Sequence, residues 1–150
     1  MRATTPGQTI LRPGRNVWRI ERAARAHARA IAAEMHCGFA SLRVHCPMNL
    51  RRKKGRPLTP AVQQDVARVT EIWRIARERY GTGGEYLFGA FSAADCMFAP
   101  VATRVVSYEL DVDPVSAAYV GAIYRLPAFM SWRDAAIAEP WRYPATDDVD

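Results

Sequence analysis

Apolar residues recur every three or four positions along most of this chain, and prolines cut that pattern into helix-length pieces. Ile20, Ala24, Ala28, Ile31, Met35, Phe39 and Leu42 form one such row. A three–four spacing lines one face of an α-helix, whereas a half-buried strand alternates every two. Arg22, Arg25 and Arg29 fall on another side, so the segment is amphipathic. The row predicts one long helix from Trp18 to about His45, about 40 Å at 1.5 Å per residue. Gly38 lies inside it and predicts a bend or close packing. Pro47 ends it, because proline lacks the N–H that would continue the ladder.

The next helix opens at Thr59-Pro60, an N-cap followed by proline at the first helical position. Val62, Val66, Val69, Trp73 and Ala76 form its buried stripe, with Ile72 beside them, and Gly81, Gly83 and Gly84 stop it. The apolar run Glu85–Phe91 has no partner run to pair with, so a packed loop is expected over a strand. Ser92-Ala93-Ala94-Asp95 then reads as a capping box, with Asp in place of the usual Glu or Gln. The helix behind it, with Met97, Phe98, Val101, Val105 and Tyr108, is apolar on nearly all sides and is expected at the centre of the fold. Pro100 should kink it. Asp113-Pro114 starts a fourth helix, and Pro127 separates it from a fifth that ends before Pro140. The expected fold class is all-α, a five-helix bundle.

Composition sets bounds on function. With 150 residues, the chain has the length of one domain. It has no apolar stretch of membrane-spanning length. Met1–Thr9 contains no apolar signal core. Cys37, Cys46 and Cys96 are odd in number, which fits free, mostly buried thiols in a reducing, cytoplasmic setting. Cys96 falls in the first turn of the capped helix, where a thiolate is favoured. A small buried hydrophobe is the preferred reading for it and for Cys37.

His27, His36 and His45 stand nine residues apart. Neighbours therefore point to opposite sides of one helix, and the trio cannot converge on a metal. Residues 1–60 carry 13 Lys/Arg against Glu21 and Glu34 alone, while residues 61–150 carry 8 Arg against 13 acids. The Arg51–Arg56 cluster is the best nucleic-acid feature. No aromatic residue is interleaved in it, so a mobile, solvated loop is the expected reading and nucleic acid is not the expected partner.

Three segments together resemble the C-terminal helical domain of the glutathione S-transferase family. The first is Phe88-Gly89-Ala90-Phe91-Ser92-Ala93-Ala94-Asp95-Cys96-Met97-Phe98-Ala99-Pro100-Val101. The second is Arg25–Arg43, with Ala33-Glu34-Met35-His36-Cys37-Gly38-Phe39 at its centre, followed by Cys46-Pro47-Met48-Asn49-Leu50. The third is Trp132–Ala136 with Glu139-Pro140-Trp141. The resemblance covers residues 22–142, between a poorly matched lead-in at 1–21 and an acidic tail at 143–150.

It implies a capping box, Ser92 and Asp95, that opens a buried central helix and serves folding. It also implies a pocket for a hydrophobic electrophile, with Met35, Phe39, Arg43, Phe98, Arg104 and Tyr108 as candidates, and glutathione as co-substrate. In that family a thioredoxin-like domain activates the glutathione thiol. Residues 1–21 do not match it, so the expectation is a truncated or split relative with no catalytic residue of its own. Its partner would be a second copy or a thioredoxin-like domain. The alternative expectation is a non-catalytic helical interaction module. Weak nucleic-acid binding through the basic half stands third.

Overall fold

The computed structural model describes Trp18 and residues 21–148. Seven helices follow one another there: α1 Arg22–Cys37, α2 Ala40–His45, α3 Pro60–Tyr80, α4 Ala93–Ser107, α5 Pro114–Arg125, α6 Pro127–Ala138 and α7 Pro144–Asp147. Among the described residues there is no strand, only an isolated antiparallel bridge between Tyr86 and Gly89. No helix among them is long and apolar enough to cross a membrane. Over the described residues the fold is therefore all-α, with seven helices instead of five.

One added helix comes from a break in the long first segment. Gly38 is extended and Phe39 is left-handed, at φ 62° and ψ 38°. The cost of that conformation, about 1–2 kcal/mol, is offset because it buries the Phe39 ring to 7% exposure. Full burial of such a side chain contributes about 1.5–3 kcal/mol. Two side chains then satisfy the backbone groups freed at the break. Arg43 reaches back, its Nε donating to the Gly38 carbonyl at 3.1 Å and its Nη2 to the Met35 and His36 carbonyls. Asp65 on α3 accepts the Leu42 N–H at 2.8 Å and so serves the start of α2. The other added helix, α7, lies in the expected tail, and its terminal Asp147 accepts the Tyr143 N–H at 2.7 Å.

The start of α1 also differs from the expectation. Helix begins at Arg22, because the Glu21 carboxylate accepts the Ala23 and Ala24 N–H groups at 2.8 and 2.5 Å. The remainder of the lead-in, 1–17 with 19–20, and the last two residues, 149–150, lie outside the described residues.

Helix α4 packs between α1 and α5, while α3 contacts α1, α2 and α5, and α6 lies on α5. Trp73 on α3 joins three of these elements. Its ring meets Phe98 of α4 edge-on at 6.0 Å and Tyr119 of α5 at 4.9 Å, arrangements that aromatic quadrupoles favour. Pro100 lies inside α4, and the helix continues through it.

The connector 47–58 is tied down instead of mobile. Lys54 donates its N–H to the Ser107 carbonyl at 3.1 Å, and Gly55 donates to Glu109 Oε2 at 3.1 Å. Arg51 inserts its guanidinium at the end of α6. Nε donates to Ile137 O at 3.1 Å, Nη1 to Trp141 O at 3.2 Å, and Nη2 to the Ala136 and Glu139 carbonyls. A helix end presents carbonyls without intrahelical partners, which a cation satisfies well.

Candidate functional site

The loop before α4 sets the site's frame. Residues 85–91 are a packed loop, as expected, with Leu87 and Phe88 fully buried. Gly89 has φ +79°, and a Cβ there would stand 2.5 Å from the Thr82 carbonyl oxygen, so only glycine fits. Arg77 gathers the Gly84 and Tyr86 carbonyls on one nitrogen, Nη1, at 2.7 and 2.6 Å.

The Ser92–Asp95 box then opens α4. Asp95 Oδ2 accepts the Ser92 N–H and the Ser92 hydroxyl, each at 2.8 Å, and Oδ1 accepts the Leu87 N–H at 3.0 Å. Asp95 is wholly buried. Burial raises its pKa above the usual carboxylate value, against hydrogen bonds from Leu87 and Ser92 that act the other way. The Leu87 contact has no local signal in the sequence, since it depends on how the loop folds back.

The six residues named for an electrophile pocket fall into three groups. Met35, Phe39 and Phe98 belong to the central hydrophobic cluster together with Trp73 and Leu42. Arg104 and Tyr108 dock on the turn that follows α2, whereas Arg43 reaches back to the carbonyls at the break between α1 and α2. Arg104 donates through Nε to the Cys46 carbonyl at 2.8 Å and through Nη1 to the Pro100 carbonyl at 2.9 Å. The Tyr108 hydroxyl donates to the Pro47 carbonyl at 2.8 Å, and the Arg52 guanidinium lies 4.9 Å from the centre of its ring. Burial pushes the Tyr108 phenol up and the Arg104 guanidinium down from their ordinary values.

None of the six lines the open groove of about 600 Å³ beside α3, whose walls include Leu58, Val66, Thr70, Arg74, Val112 and Asp113. Arg74 and Asp113 face each other across 3.6 Å in that groove.

The cysteines depart from the expectation of mostly buried thiols. Cys46 is buried, but Cys37 and Cys96 are exposed. Desolvation of its sulfur and the neighbouring Asp95 charge push the Cys96 thiol up, so the helix start does not make it a ready nucleophile. The first helix's break also places His45 on a separate helix from His27 and His36. Among the described residues no three His, Cys, Asp or Glu side chains gather as a metal site.

Fold and site together define an all-α domain built round a capped, buried central helix. No family model and no curated protein matches the chain.

Proposed function

We propose that residues 22–142 form the helical, acceptor-binding half of a glutathione transferase-like protein. The observation that carries this reading is the Ser92–Asp95 box at the start of the most buried helix, α4, preceded by a glycine-containing packed loop. The resembling segments of the sequence fall on α1 with α2, on α4 and on α6, which places them in one packed unit.

In a complete transferase a thiolate adds to an electrophile, and the helical half holds the apolar acceptor. The described residues contain no strand, so thiol activation would come from a thioredoxin-like half outside them. The chain alone should therefore conjugate glutathione to a chloronitroaromatic acceptor weakly or not at all. Turnover at the rates of complete transferases would contradict the reading.

A second reading, a helical interaction module that pairs with another copy, is favoured by one specific feature. Met130, Trp132, Ile137, Trp141 and Tyr143 are large, exposed and close in sequence on α6 and the segment after it. Exposed apolar groups of this size favour association. Light scattering together with a hydrophobic dye tests it. A dimer is expected, and a monomer that binds no dye would contradict it.

A further inference from the structure

The apolar row that predicts a buried stripe on α3 includes Val66, yet Val66 is only half-buried. The groove of about 600 Å³ opens over it. Val66, Thr70 and Arg74 stand at steps of four on one face of α3 and form one wall. Leu58 from the connector and Val112 from the loop before α5 form the others. Leu58, Val66 and Val112 all pack against the central hydrophobic cluster while staying partly open to solvent. The groove is thus an uncovered edge of the core. Its size falls within the roughly 300–1,000 Å³ of small-molecule sites, which pair an apolar lining with a few placed polar groups.

The charges in the groove do not balance. One cation, Arg74, and two carboxylates, Asp111 and Asp113, line it, which leaves one net negative charge. Asp113 is engaged at the start of α5. Its Oδ1 accepts the Val115 and Ser116 N–H groups at 3.0 and 3.1 Å, and its Oδ2 accepts the Ser116 hydroxyl at 2.7 Å. Arg74 Nε stands 3.6 Å from the same Oδ2, so the cation of the groove is turned to Asp113. Asp111 is different. The residue is exposed, and its carboxylate makes no hydrogen bond or ion pair among the described residues.

We propose that this groove binds a small organic amine, with its ammonium on the Asp111 carboxylate and its hydrocarbon part along Leu58, Val66 and Val112. Charge complementarity fixes the orientation, and removal of hydrocarbon from water supplies affinity. A ligand carboxylate would meet the surplus negative charge instead. None of these residues is among the six named for an electrophile pocket, so the site does not rest on the transferase reading.

Three probes of one chain length and different head groups test the charge preference: hexylamine, hexanol and hexanoate. Each is titrated at neutral pH and constant ionic strength into the full chain labelled with nitrogen-15. The backbone amide signals of Val66, Thr70 and Val112 should move along one saturating curve with hexylamine. Hexanol should bind at least fivefold more weakly, and hexanoate more weakly still. Asp111→Asn should weaken hexylamine at least fivefold and bring it level with hexanol. Asp134→Asn, which removes an exposed carboxylate on α6, should stay within twofold. Hexanoate binding as tightly as hexylamine would place the ligand's charge on Arg74 and overturn the proposal. So would hexylamine binding that Asp111→Asn leaves unchanged, or no saturating shift at the three groove amides. The comparison of the three probes on the unmutated chain decides the matter by itself if Asp111→Asn does not fold.

Discussion

The Asp95 carboxylate accepts the backbone N–H of Leu87, eight residues upstream, at 3.0 Å inside the core. The same side chain closes the cap of α4 through Ser92. One carboxylate therefore fixes both where the central helix starts and where the preceding loop lies. Asp95→Ala would leave two buried N–H groups and a hydroxyl without an acceptor. At about 1–3 kcal/mol per unmet buried group, partly recovered by water, the loss should be about 2–4 kcal/mol in urea unfolding. Ser92→Ala removes one partner of the box and should cost about 1 kcal/mol.

Asp95 also gives stability a pH dependence of unusual sign. Its pKa in the folded protein is raised, so the folded state holds the proton more tightly than the unfolded chain. Stability should then fall as pH rises from the ordinary carboxylate range, about 3.9, through the raised value, and level off above it. Asp95→Asn carries no titrating group, and its stability curve should lack that fall. Chemical unfolding of both proteins between pH 3 and 8 checks the difference.

His27 acts in the opposite direction. Its ring lies 5.5 Å from Tyr80 and 6.0 Å from Phe88, and its Nε2 is buried without a partner. Desolvation, followed by the Arg79 and Arg68 charges, lowers its pKa from the usual 6.5. The folded state disfavours the added proton, so this contribution is complete above about pH 6.5 and declines as pH falls toward the lowered value. Proton NMR should place the His27 midpoint below the usual 6.5. A His27 midpoint at or above 6.5 would contradict the burial argument.

Arg51 is exposed, yet it is the clamp between the connector and α6. Arg51→Ala removes donors to four carbonyls. Solvent competes for such groups, so the global cost should be about 1 kcal/mol. The local effect should be larger. Amide hydrogens in the last turn of α6 should exchange faster, and Arg51→Lys should restore protection only in part, because an ammonium lacks the fork.

The helix caps written into adjacent residues were legible in the sequence. Thr59 accepts the Val62 N–H, Asp113 accepts those of Val115 and Ser116, and Ser92 pairs with Asp95, all within three residues. The break at Phe39 was hidden because the apolar row continues across it: Met35 and Leu42 are buried on either side of the left-handed Phe39, which is buried too. Asp65 serving α2, Arg51 serving α6 and Leu87 serving Asp95 join residues far apart in sequence, and no local pattern signals them.

The candidate site was legible only by resemblance. Periodicity marks Met35 and Phe98 as core, and says nothing of Arg104 and Tyr108 meeting at the turn after α2. The basic first half also reads differently in three dimensions. Arg43, Arg51, Arg52 and Arg56 each donate to backbone carbonyls, which gives part of the arginine in this half a structural role without invoking nucleic acid.

The claim that this helical unit is the acceptor-binding half of a transferase-like protein meets its most direct test in equilibrium dialysis. The chain is dialysed against a chloronitroaromatic acceptor and, separately, against glutathione. Saturable binding of the acceptor with no binding of glutathione is the result expected of an acceptor-binding half. Glutathione bound with the acceptor left free, or neither bound, would contradict it.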